Sequence, residues 1–373
     1  MIDKHSLDLS TNPPDLSPGY RRELVPYIFS AIRGGWSCAI VGAAGAGLSN
    51  LFRFVSEPRI IANFLNVTSS LTLPVYLEAG WLTDSGRLYR EVIQQMIRNT
   101  RVCGWPRAEQ AALHYAEQKM DQATPAELEN LLADVIKQCG AESKRRILII
   151  FDEFDAAFMT LPVATLRRLR QLRDENKQTL IYLVGTRREM VRLDVQRGTS
   201  AGKFVELFNQ HTYPLRPYAA QDARVLIVRK TFDWYRHPTA DDEACLYRLA
   251  GGHAKLLVAT MLSWKQRHFP PWVNVEQAMQ HDPQIIELCR AIWNDLEPIE
   301  QLALIGLASD RRSLAQAEAL DLLRLKGLVV GHPAMIFATL FEFFVRQQPQ
   351  LPVLTAAPRE PSTLREPDPD IRW

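Results

Sequence analysis

Along the first 218 residues, short runs that are apolar on both faces alternate with stretches whose apolar positions recur every three or four residues. The runs lie at 37–41, 73–78, 145–155, 179–188 and 211–218. Strands with no polar face need helices on both sides, which predicts a parallel sheet in an α/β arrangement. The periodic stretches predict helices at 21–32, from Leu51 onward, and at 86–97, 109–119, 124–139 and 161–175. In 86–97, Leu88, Val92 and Met96 sit four apart on one face. Thr124, Pro125 and Glu127 supply a cap, a first-turn proline and a first-turn carboxylate. Pro58 breaks the pattern after the second helix, and the small polar stretch 197–203 predicts a mobile loop.

Past residue 218 the pattern turns wholly helical. Helices are expected at 219–234, 239–250 and 255–266, the last two joined by Gly251, Gly252, His253 and Ala254. Helices at 285–293, 299–308 and 313–325, a hairpin over 328–337 and a last helix at 340–346 make a winged-helix arrangement. The division is a flexible lead (1–20), an α/β core (21–218), a helical lid (219–283), a winged-helix domain (284–348) and a disordered tail (349–373). The end of that tail, Ile371, Arg372 and Trp373, is either a docking peptide or a loose end.

Composition adds only a frame. At 373 residues, two or three domains are expected. Hydrophobic content of 47% and charged content of 23% describe a soluble globular chain, and a net charge of +2 names no partner. Five scattered cysteines without CxxC spacing fit reduced thiols in the cytoplasm. No signal-like N-terminus and no run of membrane-spanning length is present, so no membrane contact is expected.

The candidate chemistry begins where the first strand ends. Gly42, Ala43, Ala44, Gly45, Ala46, Gly47, Leu48 and Ser49, with Asn50 behind them, reproduce the phosphate-binding loop at every position except that lysine is replaced by Leu48. The glycines allow backbone N–H groups to converge on a polyphosphate at a helix start, and Ser49 can still ligate magnesium. Leu48 offers neither charge nor donor, so binding weakens and hydrolysis suffers more. The alternative is a small-residue turn without a ligand. The third run ends in Asp152 and Glu153. Beside a phosphate loop, Asp152 would hold magnesium through water and Glu153 would polarise the attacking water as general base. The fourth run ends in Thr186 and Arg187. Arg187 has the charge and reach to sense a terminal phosphate and to stand in part for the missing lysine; an ordinary surface arginine is the alternative. Arg167, Arg168, Arg170 and Arg173 make 161–175 the densest basic stretch, read as a solvated helix in preference to a nucleic-acid site. His253 and Lys255 sit where a lid helix begins; His253 is a candidate nucleotide contact, with a satisfied structural histidine as the alternative.

In this order, phosphate-type loop, apolar strand with Asp-Glu, Gly-Thr-Arg strand end, Leu-Arg-Pro strand and lid with Gly-Gly-His-Ala, the chain resembles AAA+-related ATPases of the signal-transducing STAND type, the NACHT and NB-ARC relatives in particular. The resemblance spans about residues 20–345. It implies a P-loop NTPase core with a parallel five-stranded sheet, a helical lid and a winged helix. It also implies ATP or ADP with magnesium as cofactor, and a γ-phosphate contact from Arg187. Ala254 departs from the Gly-Gly-x-Pro lid motif, and Leu48 from the loop. Two functions follow: a nucleotide-dependent switch or assembly module with weak or no hydrolysis, and a pseudo-ATPase scaffold or DNA-associated adaptor working through the winged helix and the basic helix. A separately encoded effector and a homo-oligomer are the expected partners, and bacterial defence or signalling the expected setting. The helix at 314–325 carries Glu318, Asp321 and only Arg324 as a base, so protein contact is preferred over DNA.

Overall fold

A computed structural model describes residues 19–65, 72–102, 107–141, 145–309, 311 and 314–348. The expectations for 1–18, for Ser313 and for 349–373, including Ile371 to Trp373, lie outside the described residues. Five strands, β1 (Cys38–Val41), β2 (Thr72–Glu78), β3 (Arg146–Asp152), β4 (Leu180–Thr186) and β5 (Thr212–Pro214), form one sheet in the order β2-β3-β4-β1-β5. Every pairing is parallel. The sequence alone puts the acidic strand tip directly beside the loop; the structure inserts β4 between β1 and β3.

Alternation along the strands splits the core in two. Leu148 and Ile150 of β3 face α1 (Val25–Arg33), α2 (Leu48–Val55) and α3 (Pro58–Leu65). Ile147, Ile149 and Phe151 face the opposite layer of α4 (Ser85–Val102), α5 (Arg107–Met120), α6 (Pro125–Ala141), α7 (Phe154–Thr160), α8 (Val163–Glu175), α9 (Met190–Arg197) and α10 (Gly202–Val205). Each large side chain buried this way stabilises the fold by about 1.5–3 kcal/mol. Pro58 begins α3, where a missing N–H costs nothing. Thr124 and Glu127 close a capping box at α6, with Thr124 N–H donating to Glu127 Oε2 at 2.7 Å.

The stretch expected as a mobile loop, 197–203, is instead anchored. Asp194 Oδ1 accepts the Ala201 N–H at 2.7 Å, and Arg197 donates to the carbonyls of Phe158 and Leu161. Phe204 and Phe208 then enter an aromatic cluster with Phe154 and Tyr182. Composition showed the small residues but not these long-range partners. The basic helix α8 is also largely spent internally. Arg168 binds Glu129 at 2.8 Å, Arg170 binds Asp174 and the Lys203 carbonyl, and buried Arg173 donates to Gly35 O. Arg168, Arg170 and Arg173 are thus engaged within the chain, while Arg167 is exposed.

The helical half holds α11 (Ala220–Lys230), α12 (Ala240–Ala250), α13 (Ala254–Gln266), α14 (Trp272–Gln280), α15 (Pro283–Asn294), α16 (Pro298–Ala308), α17 (Ala317–Leu325) and α18 (Thr339–Arg346). The antiparallel pair β6 (Val329–Val330) and β7 (Met335–Ile336) lies before α18. One apolar cluster runs from Tyr218 through Trp264 and Phe341 to Val345, so the expected boundary at 283 separates elements, not cores. Helix α14 has too short a period to be read locally. Trp272 fixes it by stacking on Trp264 at 4.8 Å and donating to Asp242 Oδ1 at 2.7 Å.

Candidate functional site

The loop after β1 crosses the C-terminal edge of the sheet. Gly42 N–H donates to Thr186 O at 3.0 Å, tying the loop to the end of β4. Gly47, with φ of 100°, occupies a left-handed conformation that a side chain disfavours, and from it α2 starts at Leu48. The Leu48 side chain folds back onto the sheet: a methyl built on Gly185 would lie 2.7 Å from Leu48 Cδ2 and 2.5 Å from Phe52 Cε2. Ser49 is half-buried in the first turn of α2, and Asn50 is exposed.

Three successive carbonyls of the loop are held from outside it. Ala44 O accepts from His253 Nε2 at 3.0 Å, Gly45 O from Lys255 N–H at 3.1 Å and Ala46 O from Arg21 Nη2 at 3.1 Å. In a planar trans peptide the carbonyl and the next N–H point opposite ways. Holding the carbonyls therefore turns amides toward the other side of the loop. Among the described residues, no acceptor is bonded to the N–H groups of Gly45, Gly47, Leu48 and Ser49.

His253 reaches the loop because the lid bends sharply there. A methyl on Gly251, at φ 59°, would lie 2.0 Å from Phe337 O, so only glycine fits between lid and hairpin. Nδ1 of His253 accepts the Leu256 N–H at 3.3 Å, which assigns the ring proton to Nε2. Burial pushes its pKa down to about 4, partly opposed by the bond to Ala44 O, so the ring is neutral. The stem of Lys255 crosses the loop: a methyl on Gly45 would lie 2.8 Å from Lys255 Cδ. Among the described residues, no carboxylate lies within ion-pair distance of its ammonium.

At the end of β3, Asp152 is 2% exposed and shares the face of Leu148 and Ile150, the α2 face. Its Oδ2 accepts the Tyr76 hydroxyl at 2.8 Å, and its Oδ1 accepts the Glu153 N–H at 3.0 Å. Burial raises the Tyr76 pKa, and the Asp152 charge adds to the rise. Glu153 caps α7 with φ of 51°, a strained value for a residue with a side chain, and its exposed carboxylate lies over Gly80.

Thr186 belongs to the other face, in register with Val184. Among the described residues its hydroxyl is buried without a partner, and its contact with the loop runs through its backbone carbonyl. The Arg187 N–H donates to both oxygens of Asp155, whose pKa burial raises against that bond. The Arg187 guanidinium binds Asp295 at 3.0 Å, between α15 and α16. Arg192 binds Glu297 at 3.0 Å and Glu318 at 2.8 Å. The structure thus brings Gly42 to Ser49 and His253 into one assembly and sets Asp152 and Glu153 two strands away from β1. Arg187 it gives to the C-terminal helices.

Sequence reading passed over Arg21, Tyr76 and Asp295. Nothing local marks any of them; only the sheet register that aligns Tyr76 with Ile150, and the tertiary contacts, pick them out. It noted Lys255 without connecting it to the loop.

No family model matches the chain, and no curated protein matches it in sequence. Solved structures do match in shape. The Aeropyrum pernix ORC2 protein, solved as ADPNP-ADP complexes, is 14% identical, with a TM-score of 0.52 over 90% of this chain and 95% of that one. A Walker-type ATPase of Pyrococcus abyssi is 13% identical, with a TM-score of 0.54 over 91% of this chain and 99% of that one. The fold shared with them is that of a P-loop NTPase core with a five-stranded parallel sheet and a helical region. At this identity the likeness extends to the fold alone. The loop after β1 and the carboxylates after β3 lie at the same edge of the parallel sheet, two strands apart, and the start of α13 packs on the loop. Among the described residues no helix is long and apolar enough to cross a membrane.

Proposed function

We propose that the protein is a nucleotide-binding regulatory switch of the AAA+/STAND kind, holding ATP or ADP between the loop and the start of α13, with weak or no hydrolysis. The observation that carries the reading is the bonding of the loop: the carbonyls of Ala44, Gly45 and Ala46 are taken by His253, Lys255 and Arg21, while neighbouring amides are left to face an anion. A small-residue turn without a ligand has no need of that arrangement. ADP and ADPNP are bound by the Aeropyrum protein of the same fold, which is in keeping with the reading.

The residues present fit magnesium as a companion of the phosphates and not as an ion in a protein cage. Ser49 and Asp152 would hold it, and among the described residues no cluster of three ligating side chains exists. Bound there, magnesium supplies neutralisation of phosphate charge. Glu153, exposed after β3, is the group that would orient a water. Leu48 withholds the charge that a loop lysine places on the terminal phosphates, so hydrolysis is the step most impaired.

With Arg187 and Arg192 bound to Asp295, Glu297 and Glu318, the α15–α17 half is latched to the core. The switch consists of keeping or releasing that latch according to the nucleotide, read out by a separate partner protein or by self-association. A winged-helix reading of the 284–348 region fits a protein-contact role, because Glu318 of α17 faces Arg192 of the core. The test is calorimetric titration of the native protein with ATP and ADP, with and without magnesium, beside Leu48→Lys. Micromolar binding that Leu48→Lys strengthens is expected. Binding that appears only in Leu48→Lys would make the protein a pseudo-ATPase scaffold, and no binding in either would sink the nucleotide reading.

A further inference from the structure

Arg21 is fully buried at the back of the loop. Its Nη2 donates to Ala46 O at 3.1 Å, its Nη1 donates to Arg216 O, and its guanidinium lies 4.0 Å over the Tyr218 ring. These partners are neutral. Among the described residues, Nε is buried without any partner. Among the described residues, Glu23 is the one carboxylate in ion-pair range, at 3.7 Å and 37% exposed; Asp222 takes the Arg21 backbone N–H instead of its side chain. The residue also holds φ of 49°, a value that a side chain adopts only when its surroundings fix it.

A buried cation held mainly by carbonyls is costly unless negative charge lies close. The geometry points to where that charge belongs. A methyl built on Gly47 would lie 3.8 Å from Arg21 Nη2, 3.2 Å from the Tyr218 hydroxyl and 3.3 Å from Ala254 Cβ, so the guanidinium sits directly behind the turn whose amides are unbonded. On the front of that turn Leu48 leans away onto Gly185.

We propose that Arg21 supplies, from behind the loop, the positive charge that Leu48 no longer supplies within it, and so makes the loop a polyphosphate site. The inference rests on the nucleotide reading above and names the group that sustains it. Arg21 bonds a loop carbonyl, so it acts on the anion through its field and through the loop's shape: it is a positioning residue. It also joins the loop to Arg216, Tyr218 and Asp222 at the entry to the lid, so its charge stands behind the loop only while that joint is docked.

The test is titration of the full-length protein with magnesium ATP and with inorganic tripolyphosphate, a probe without a base, at low and moderate salt. Native protein, Arg21→Lys, Arg21→Gln, Leu48→Lys and the double variant Arg21→Gln/Leu48→Lys are compared, with thermal melts to verify folding. The native protein should bind both probes, and Arg21→Gln should bind tripolyphosphate about tenfold more weakly or worse. Arg21→Lys should stay within roughly threefold of native and keep the native salt dependence. The double variant should regain about tenfold over Arg21→Gln while its melting temperature stays lowered, an outcome that a purely structural Arg21 would not give.

A folded Arg21→Gln that binds tripolyphosphate as native does would overturn the inference and leave the nucleotide site standing. So would a double variant no better than Arg21→Gln when Leu48→Lys alone binds tightly. Should Arg21→Gln fail to fold, a folded Arg21→Lys that has lost tripolyphosphate overturns it equally. Native protein that binds neither probe while Leu48→Lys binds both refutes the role of Arg21 and, as above, makes the protein a pseudo-ATPase scaffold. Failure of both to bind refutes the nucleotide reading with it.

Discussion

Arg187 and Asp295, 108 residues apart, are joined by one guanidinium nitrogen lying 3.0 and 3.1 Å from the two carboxylate oxygens. The pair fastens the end of the central strand β4 to the turn between α15 and α16, and Arg192 with Glu297 repeats the link one helix turn on. Both side chains of the first pair are partly exposed, so the pair is worth little as stability, about 0–1 kcal/mol. Its effect is on position. Asp295→Ala should leave the melting temperature nearly unchanged while hydrogen exchange in 283–308 speeds up. Unaltered exchange there would show that the apolar core alone holds the C-terminal helices.

Much of this was legible in the chain. The runs with no polar face gave the five strands and their parallel pairing, because burial on both faces leaves that mark wherever it occurs. Gly42 to Ser49 gave the loop, and Asp152 and Glu153 the acidic strand end. What was not legible depends on register and on distant contacts. The placement of β4 between β1 and β3 is a matter of hydrogen bonding across the sheet. Arg187 reads identically as a phosphate sensor or as the partner of Asp295. Arg21, in a segment expected to be helix, is instead held in a left-handed turn by the loop and the lid entry, neither of which is near it in sequence.

His253 makes the lid contact pH-dependent. Its pKa is pushed down to about 4 by burial, against a model-peptide value of about 6.5. Between those values the unfolded chain binds a proton that the folded chain refuses, so stability is complete above about pH 6.5 and falls as the pH drops toward 4. The loss approaches about 3 kcal/mol at the acid end of that window. Urea melts at pH 7.5 and pH 5 should differ measurably for the native protein. His253→Gln, which can still donate to Ala44 O, should be less stable at pH 7.5 and flatter between the two. An equal slope in both proteins would remove His253 as the cause.

Glu300 and Lys326 are an ion pair sealed in the C-terminal helices, 2.6 Å apart with side chains 0% and 6% exposed. Glu300 Oε2 also accepts the Glu297 N–H at 2.7 Å, which caps α16. Removing one partner strands the other charge, so Lys326→Met should cost about 3–5 kcal/mol in chemical denaturation. Lys326→Met/Glu300→Gln, which removes both charges and keeps the cap acceptor, should recover much of that loss. A double variant as unstable as the single one would mean that packing, not stranded charge, sets the cost.

Tyr76 and Asp152 provide the sharpest check on the acidic strand. The hydroxyl occupies Oδ2 at 2.8 Å on the face that α2 covers. If Asp152 serves magnesium, that bond competes with it, and Tyr76→Phe frees an oxygen without moving the carboxylate's other contact, the Glu153 N–H on Oδ1. A hydrogen bond to a charged group is worth about 1.5–3 kcal/mol. Tyr76→Phe should therefore strengthen the magnesium-dependent part of ATP affinity several-fold, while Asp152→Ala should remove it and leave the magnesium-free part intact. The two variants move the same quantity in opposite directions, which a general loss of stability cannot imitate. Equal magnesium dependence in both variants and in the native protein would take Asp152 out of the site and leave its buried carboxylate as a structural partner of Tyr76 and the first turn of α7.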